Sequence, residues 1–196
     1  MGMRLSIGEI TDRTRHRLLD DPPLVWQLAA PDDPAAYAEA RARAPKPTFG
    51  ARLFRRAAAA AAPLVLEVGE GLDVDVDKAW HGLHYLFTGT VDGGNPPANF
   101  LMCGGQDVGT EDVGYGPARV ISPDDTRSIS QYLSSAGDHE LLGRFDAARM
   151  TALEIYPSIW DEGEFAVEYL AENLAQVRRV VTSAEAKGRG LLLVLS

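Results

Sequence analysis

Cysteine occurs once in the 196 residues, at Cys103, so neither an internal disulfide nor a cysteine-only zinc site is available. Lysine is nearly as scarce: apart from Lys46, Lys78 and Lys187, the 19 basic residues are all arginine. The longest apolar run, residues 57–66, is mostly alanine and is broken by Pro63, whereas a membrane-spanning helix needs about 20 apolar residues. Residues 1–17 carry charges throughout and lack the apolar centre of a secretory leader. An excess of positive charge is missing too. The formal net charge is −9 and the pI about 4.9, so a phosphate-tracking nucleic-acid binder is excluded as the expectation. No GxGxxG, GxxxxGK[ST], GxSxG or HExxH pattern is present, which leaves no cofactor implied. Arginine in place of lysine, with tracts of alanine, suggests a bacterial protein. The absences together point to a cytoplasmic one with no membrane and no nucleic acid among its partners.

What remains is an ordinary globular composition, 45% hydrophobic and 24% charged. A chain of this length buries roughly 70% of its unfolded surface without metals or disulfides. Charge is unevenly distributed: residues 1–62 sum to +3 and residues 63–196 to −12. That imbalance gives an expectation of an acidic face, which can steer a basic protein partner.

Met3–Ile7 alternates as the start of a strand, and prolines separate helical stretches at 12–20, 34–44 and 51–62. Leu72–Asp77 alternates apolar and acidic residues, as a half-buried strand does. Asp77 then reads as an N-cap, with Trp80, Leu83, His84 and Phe87 on one helical stripe and Gly89 as the stop. Ala98–Cys103 reads as a short strand, residues 104–116 as a long glycine-rich loop, and residues 118–121 as another strand. Ser122-Pro123-Asp124-Asp125 is a helix start, with a cap, a first-turn proline and two acids at the positive end. Helices follow at 146–154 and 164–187, and residues 191–195 form a fully buried strand. Helices interleaved with few strands imply an α+β fold: several helices packed with a small mixed sheet, in one domain spanning 1–196.

The chemistry-bearing residues are few. His81 and His84 lie one helical turn apart, close to Asp77, and form a weak candidate metal set. The same histidines could act as acid and base, oriented by Glu154 or Glu111, with Arg119 holding an anion. Cys103 reads as a buried apolar thiol. Glu154 and Asp161 flank a segment with two aromatics and a proline, where they read as anchors of neighbouring helices.

The blocks Leu72-Asp73-Val74-Asp75-Val76-Asp77-Lys78-Ala79-Trp80-His81-Gly82-Leu83-His84, Gly114-Tyr115-Gly116-Pro117-Ala118-Arg119 and Glu154-Ile155-Tyr156-Pro157-Ser158-Ile159-Trp160 carry a resemblance. Together with Met1-Gly2-Met3 and Gly104-Gly105, they make the chain similar to the YfbM-like family of uncharacterised bacterial proteins (Domain of Unknown Function 1877). Residues 31–63 are the least family-like. The resemblance implies a small α+β domain and brings no activity, cofactor or catalytic residue. Its blocks hold many side chains with hydrogen-bonding ends: Asp77, Trp80, His84, Glu111, Asp112, Tyr115, Arg119, Tyr156, Trp160 and Asp161. The expectation is that these converge on one polar and aromatic cleft of a non-catalytic binding or protein-interaction domain. A small-molecule hydrolase or transferase using the histidines is the alternative.

Overall fold

The computed structural model describes residues 2–44 and 62–196, so the helix expected at 51–62 lies almost wholly outside the described residues. Five strands form one sheet: β1 (Leu5–Ile10), β2 (Gly71–Asp75), β3 (Gln106–Asp112), β4 (Pro117–Ile121) and β5 (Gly190–Leu195), in the order β2-β1-β5-β4-β3. Each of the four pairings is antiparallel. The α+β class therefore holds, and the sheet expected to be mixed is antiparallel. The first and last strands of the chain pair at its centre, from Leu5 opposite Leu195 to Ile10 opposite Gly190.

Strand β5 is apolar along its length because both faces of the sheet are covered. Leu191 and Leu193 enter one core with Leu5, Ile7, Val74 and Ile121. Leu192 and Val194 enter the other with Ile10, Ala118 and Val120. The first core is closed by α4 (Trp80–Thr88), α6 (Pro123–Ser135) and the 23-residue α9 (Glu164–Ala186). The second is closed by α1 (Asp12–Asp20), a 3₁₀ turn at Pro22–Val25 and α2 (Trp26–Ala29). Helix α3 (Pro34–Arg43) is tied to this layer by Arg41, which forks onto the buried Asp21 carboxylate at 2.5 and 2.6 Å.

Alternation predicts one face for Leu72, Val74 and Val76, and the structure divides them. The β1–β2 register shifts between Ile7 and Gly8, with Ile7 opposite Val74 and Gly8 opposite Leu72. Asp73 is thus the extra residue of a bulge, and Leu72 turns to the second core while Val74 and Val76 keep the first. The close approach requires glycine: a Cβ on Gly8 would lie 1.6 Å from the Gly71 carbonyl oxygen.

Residues 98–103, expected as a strand, contain the short helix α5 (Phe100–Cys103). The glycine-rich loop after it is in fact strand β3 and its hairpin to β4. Asp77 stands at φ 47°, opening a 3₁₀ turn (Asp77–Ala79) with no side-chain cap bond. Remaining short helices are α7 (Asp138–Leu142) and α8 (Ala147–Ala152).

Candidate functional site

Helix α4 is buried from Trp80 to Phe87, which decides what its histidines can do. Trp80 donates its indole N–H to the Met3 carbonyl at 3.2 Å, and its ring stacks on His81 with centroids 5.1 Å apart. His81 spends both ring nitrogens on backbone. Nε2 meets the Val91 carbonyl at 2.8 Å, and Nδ1 accepts the Tyr156 amide N–H at 3.1 Å. Those partners fix the Nε2–H tautomer of a neutral ring. Burial lowers its pKa, against the pull of the Val91 carbonyl and Asp92.

His84, one turn on, is fully buried, and among the described residues neither ring nitrogen has a hydrogen-bond partner. Burial, then the proximity of His81, pushes its pKa down to about 4. It is a core histidine without the hydrogen bonds that normally accompany one. The acid/base pairing with Glu154 or Glu111 is not formed, since His81's partners are backbone and His84 has none among the described residues. The Asp77, His81, His84 metal set is not formed either. Asp77 accepts from the Tyr169 hydroxyl at 2.8 Å and pairs with Arg4 at 3.2 Å. Among the described residues no group of three His, Cys, Asp or Glu side chains is placed to hold a metal.

Arg119, on β4, reaches under α5. Nη1 donates to the Phe100 and Gly104 carbonyls at 3.1 and 2.6 Å, and Nη2 to the Leu101 carbonyl at 2.5 Å. The guanidinium thus satisfies the unpaired carbonyls around a helix end. Such charged bonds are worth roughly 1.5–3 kcal/mol each. Burial lowers its pKa, opposed by the nearby Cys103 and Asp107, and no carboxylate lies within ion-pair distance among the described residues.

Above Arg119 opens a cleft of about 310 Å³. Leu5, Leu193 and Leu195 of the central strands form one wall, and Leu101 and Met102 of α5 another. Trp80, Asp107, Tyr115, Pro117 and Arg119 complete it. The hairpin that presents Tyr115 is built by Asp112, whose Oδ1 accepts the Gly114 and Gly116 amides at 2.9 and 3.0 Å. Those two bonds hold the Asp112 carboxyl below its ordinary pKa. The Tyr115 amide in turn donates to the Leu195 carbonyl at 2.9 Å, anchoring the hairpin to β5 while the ring stays 52% exposed.

Of the residues expected to converge, Trp80, Tyr115 and Arg119 share this cleft. His81 and Tyr156 stand behind Trp80, with the Trp80 and Tyr156 centroids 6.2 Å apart. The others lie elsewhere. Trp160 is buried in the first core, donating to the Ile155 carbonyl at 2.5 Å, and Gly82 leaves room for its ring. Glu154, at φ 54°, and Asp161 are exposed and cap no helix, because Gly163 opens α9. Asp77, Glu111 and Asp112 line neither cavity. Asp107 and Met102 belong to the cleft and were not anticipated. Asp107 is the Cα partner of Arg119 across β3–β4, a neighbour visible only once residues 106–112 are recognised as a strand.

A larger cavity, about 610 Å³, lies on the other side of α5. Several of its polar residues are committed to local structure. Ser122 caps α6 through the Asp125 amide, Asn99 holds the Gly94 carbonyl and Arg15 pairs with Asp12. Cys103 lines it and is exposed, contrary to the buried thiol expected. Among the described residues no helix is long and apolar enough to cross a membrane.

Comparison with known proteins gives kinship without an activity. A family model described as a domain of unknown function (DUF1877) matches residues 1–194. The crystal structure of YfbM, a protein of unknown function from Escherichia coli, is similar with a TM-score of 0.61 at 18% identity. The match covers 98% of this chain and 99% of that one; at that identity it shows the fold. No curated protein matches.

Proposed function

The chain belongs to the DUF1877 family, and from that premise and the cleft's own geometry we propose a non-catalytic binding protein that takes a small molecule beside Trp80, Tyr115 and Arg119. One observation carries the reading. The groups suited to proton transfer are withdrawn, His81 by two backbone partners and His84 by complete burial. The groups suited to recognition instead share an open, mostly apolar cavity. Aromatic faces, aliphatic walls and two charged ends offer affinity and orientation, and no histidine is among the lining residues.

A thermal-shift screen of the full chain against a metabolite panel tests this. A ligand at 100 times its dissociation constant adds about 2.7 kcal/mol, a shift of several degrees. A hit should weaken in Tyr115→Ala, which removes an exposed ring and leaves the core intact. The ligand should also be recovered chemically unchanged after prolonged incubation. Conversion that is lost in His81→Ala would overturn the reading in favour of an enzyme.

A basic protein partner is the second reading, supported by the exposed Tyr115 flanked on the same hairpin by Asp107 and Asp112. It calls for capture that collapses at high salt; salt-insensitive capture would count against steering by charge.

A further inference from the structure

Two ionised side chains of opposite sign line the cleft, Asp107 and Arg119. As Cα partners on neighbouring strands, such residues ordinarily close on one another. Here they do not, because Arg119 is drawn down onto the carbonyls of Phe100, Leu101 and Gly104. Of its five N–H groups, both on Nη1 and one on Nη2 are spent. Among the described residues the Nε–H and the second Nη2–H have no partner. The Asp107 carboxylate, exposed on β3, makes no hydrogen bond or ion pair among the described residues. The rest of the wall that matters is apolar or aromatic: Trp80, Leu101, Met102 and Tyr115.

Neither charge has an ion-pair contact among the described residues, and a ligand bearing one charged group would satisfy one and leave the other without a contact. A compact zwitterion satisfies both at once. Its carboxylate suits a guanidinium with two N–H groups unspent among the described residues, and its ammonium suits Asp107 and the negative faces of the two aromatic rings. The cavity, about 310 Å³, is at the small end of ligand sites, which favours one amino acid over a nucleotide or a peptide. Resting on the reading of this cleft as the binding site, we infer that it binds a free α-amino acid with an apolar or aromatic side chain. The carboxylate lies on Arg119, the ammonium on Asp107, and the side chain against Trp80 and Tyr115.

The test is calorimetric titration of the full chain with L-leucine, L-phenylalanine, 3-phenylpropanoate (which lacks the ammonium) and 2-phenylethylamine (which lacks the carboxylate). One or both amino acids should bind, and each single-headed analogue should bind about tenfold more weakly or worse, the cost of one lost charge-assisted bond. Asp107→Asn, at an exposed position with no internal partner, should keep its melting temperature and lose the preference for phenylalanine over 3-phenylpropanoate. Tyr115→Ala should weaken every binder. Equal binding of phenylalanine and 3-phenylpropanoate would overturn the zwitterion and leave an anion site in the same cleft. Failure of all four beside another, Tyr115-dependent hit from the metabolite panel would overturn the amino acid and keep the binding function. Silence across both sets would remove both. Amino-acid binding unchanged in the two variants would place the site elsewhere and overturn the inference.

Discussion

The backbone N–H of Tyr156 donates to Nδ1 of His81 at 3.1 Å across 75 positions of sequence. The other ring nitrogen meets Val91 at 2.8 Å, so one imidazole joins helix α4 to the loops on either side of it. The Trp80 ring lies parallel to His81 within 13°, and the back of the cleft is thereby made rigid. The histidine that looks most chemical in the sequence is a structural tie.

His81→Ala should therefore cost about 2–4 kcal/mol, two hydrogen bonds plus the penalty of leaving a buried amide and carbonyl unpaired. The shift of the urea midpoint measures it. A loss below about 0.5 kcal/mol would show that the ring does not tie the two loops.

His84 makes the fold acid-sensitive. Its folded pKa, about 4, lies below the ordinary histidine value of 6.5, so between those limits the unfolded chain holds a proton that the folded chain refuses. The contribution is fully present above pH 6.5 and is lost as pH falls toward 4. At the limit it is roughly 3 kcal/mol, the balance of burial, His81 and Arg119 against the opposing attraction of Asp92. His84→Met removes two polar atoms that have no partner among the described residues, along with the titration. It should stabilise the protein and flatten the melting temperature between pH 6.5 and 4; an unchanged slope would assign the acid loss to other groups.

Local signals were legible wherever a segment's neighbours in sequence are also its neighbours in space. Ser122 accepts the Asp125 amide at 3.1 Å ahead of Pro123, as the cap pattern requires. Gly89 ends α4 at φ 72°, and the apolar run at 191–195 is the doubly covered β5. The bulge at Asp73 was hidden because it arises from the approach of Gly8 to Gly71, which no alternation within β2 records. The cleft was legible only in part. Trp80, Tyr115 and Arg119 drew notice as polar or aromatic residues in specific blocks. Their meeting depends on β3, whose Val108-Gly109-Thr110-Glu111 stretch interrupts its ladder to β4 and reads as loop. The spending of Arg119 on α5 carbonyls was equally invisible, since residues 98–103 read as strand.

Cys103 should react as a free thiol in the folded protein. It sits at the end of α5, exposed on the rim of the larger cavity. Titration with a disulfide reagent under native conditions should consume one equivalent without denaturant, the chain having a single cysteine. A thiol that becomes reactive only on unfolding would contradict its placement.

Glu9 gives the strongest stability prediction. Its carboxylate, buried on β1, receives Lys187 at 2.9 Å and Arg189 at 3.2 Å, locking the end of α9 and the entry of β5 onto the first strand. Burial alone would raise the Glu9 pKa, but hydrogen bonds from Ser183, Lys187 and Arg189 outweigh it and hold it below the ordinary value. The pair is therefore stabilising above pH 4.5 and fades as pH falls below it. Glu9→Gln keeps the shape and removes the charge, leaving the buried Arg189 only the exposed Glu67 carboxylate, at 3.4 Å. Breaking a buried pair from one side costs about 3–5 kcal/mol. Lys187→Met should cost far less, because Lys187 is half-exposed and Arg189 keeps its hold on Glu9. Comparable losses in the two variants, measured by urea unfolding at neutral pH, would show that the buried arginine is not what Glu9 is there to neutralise.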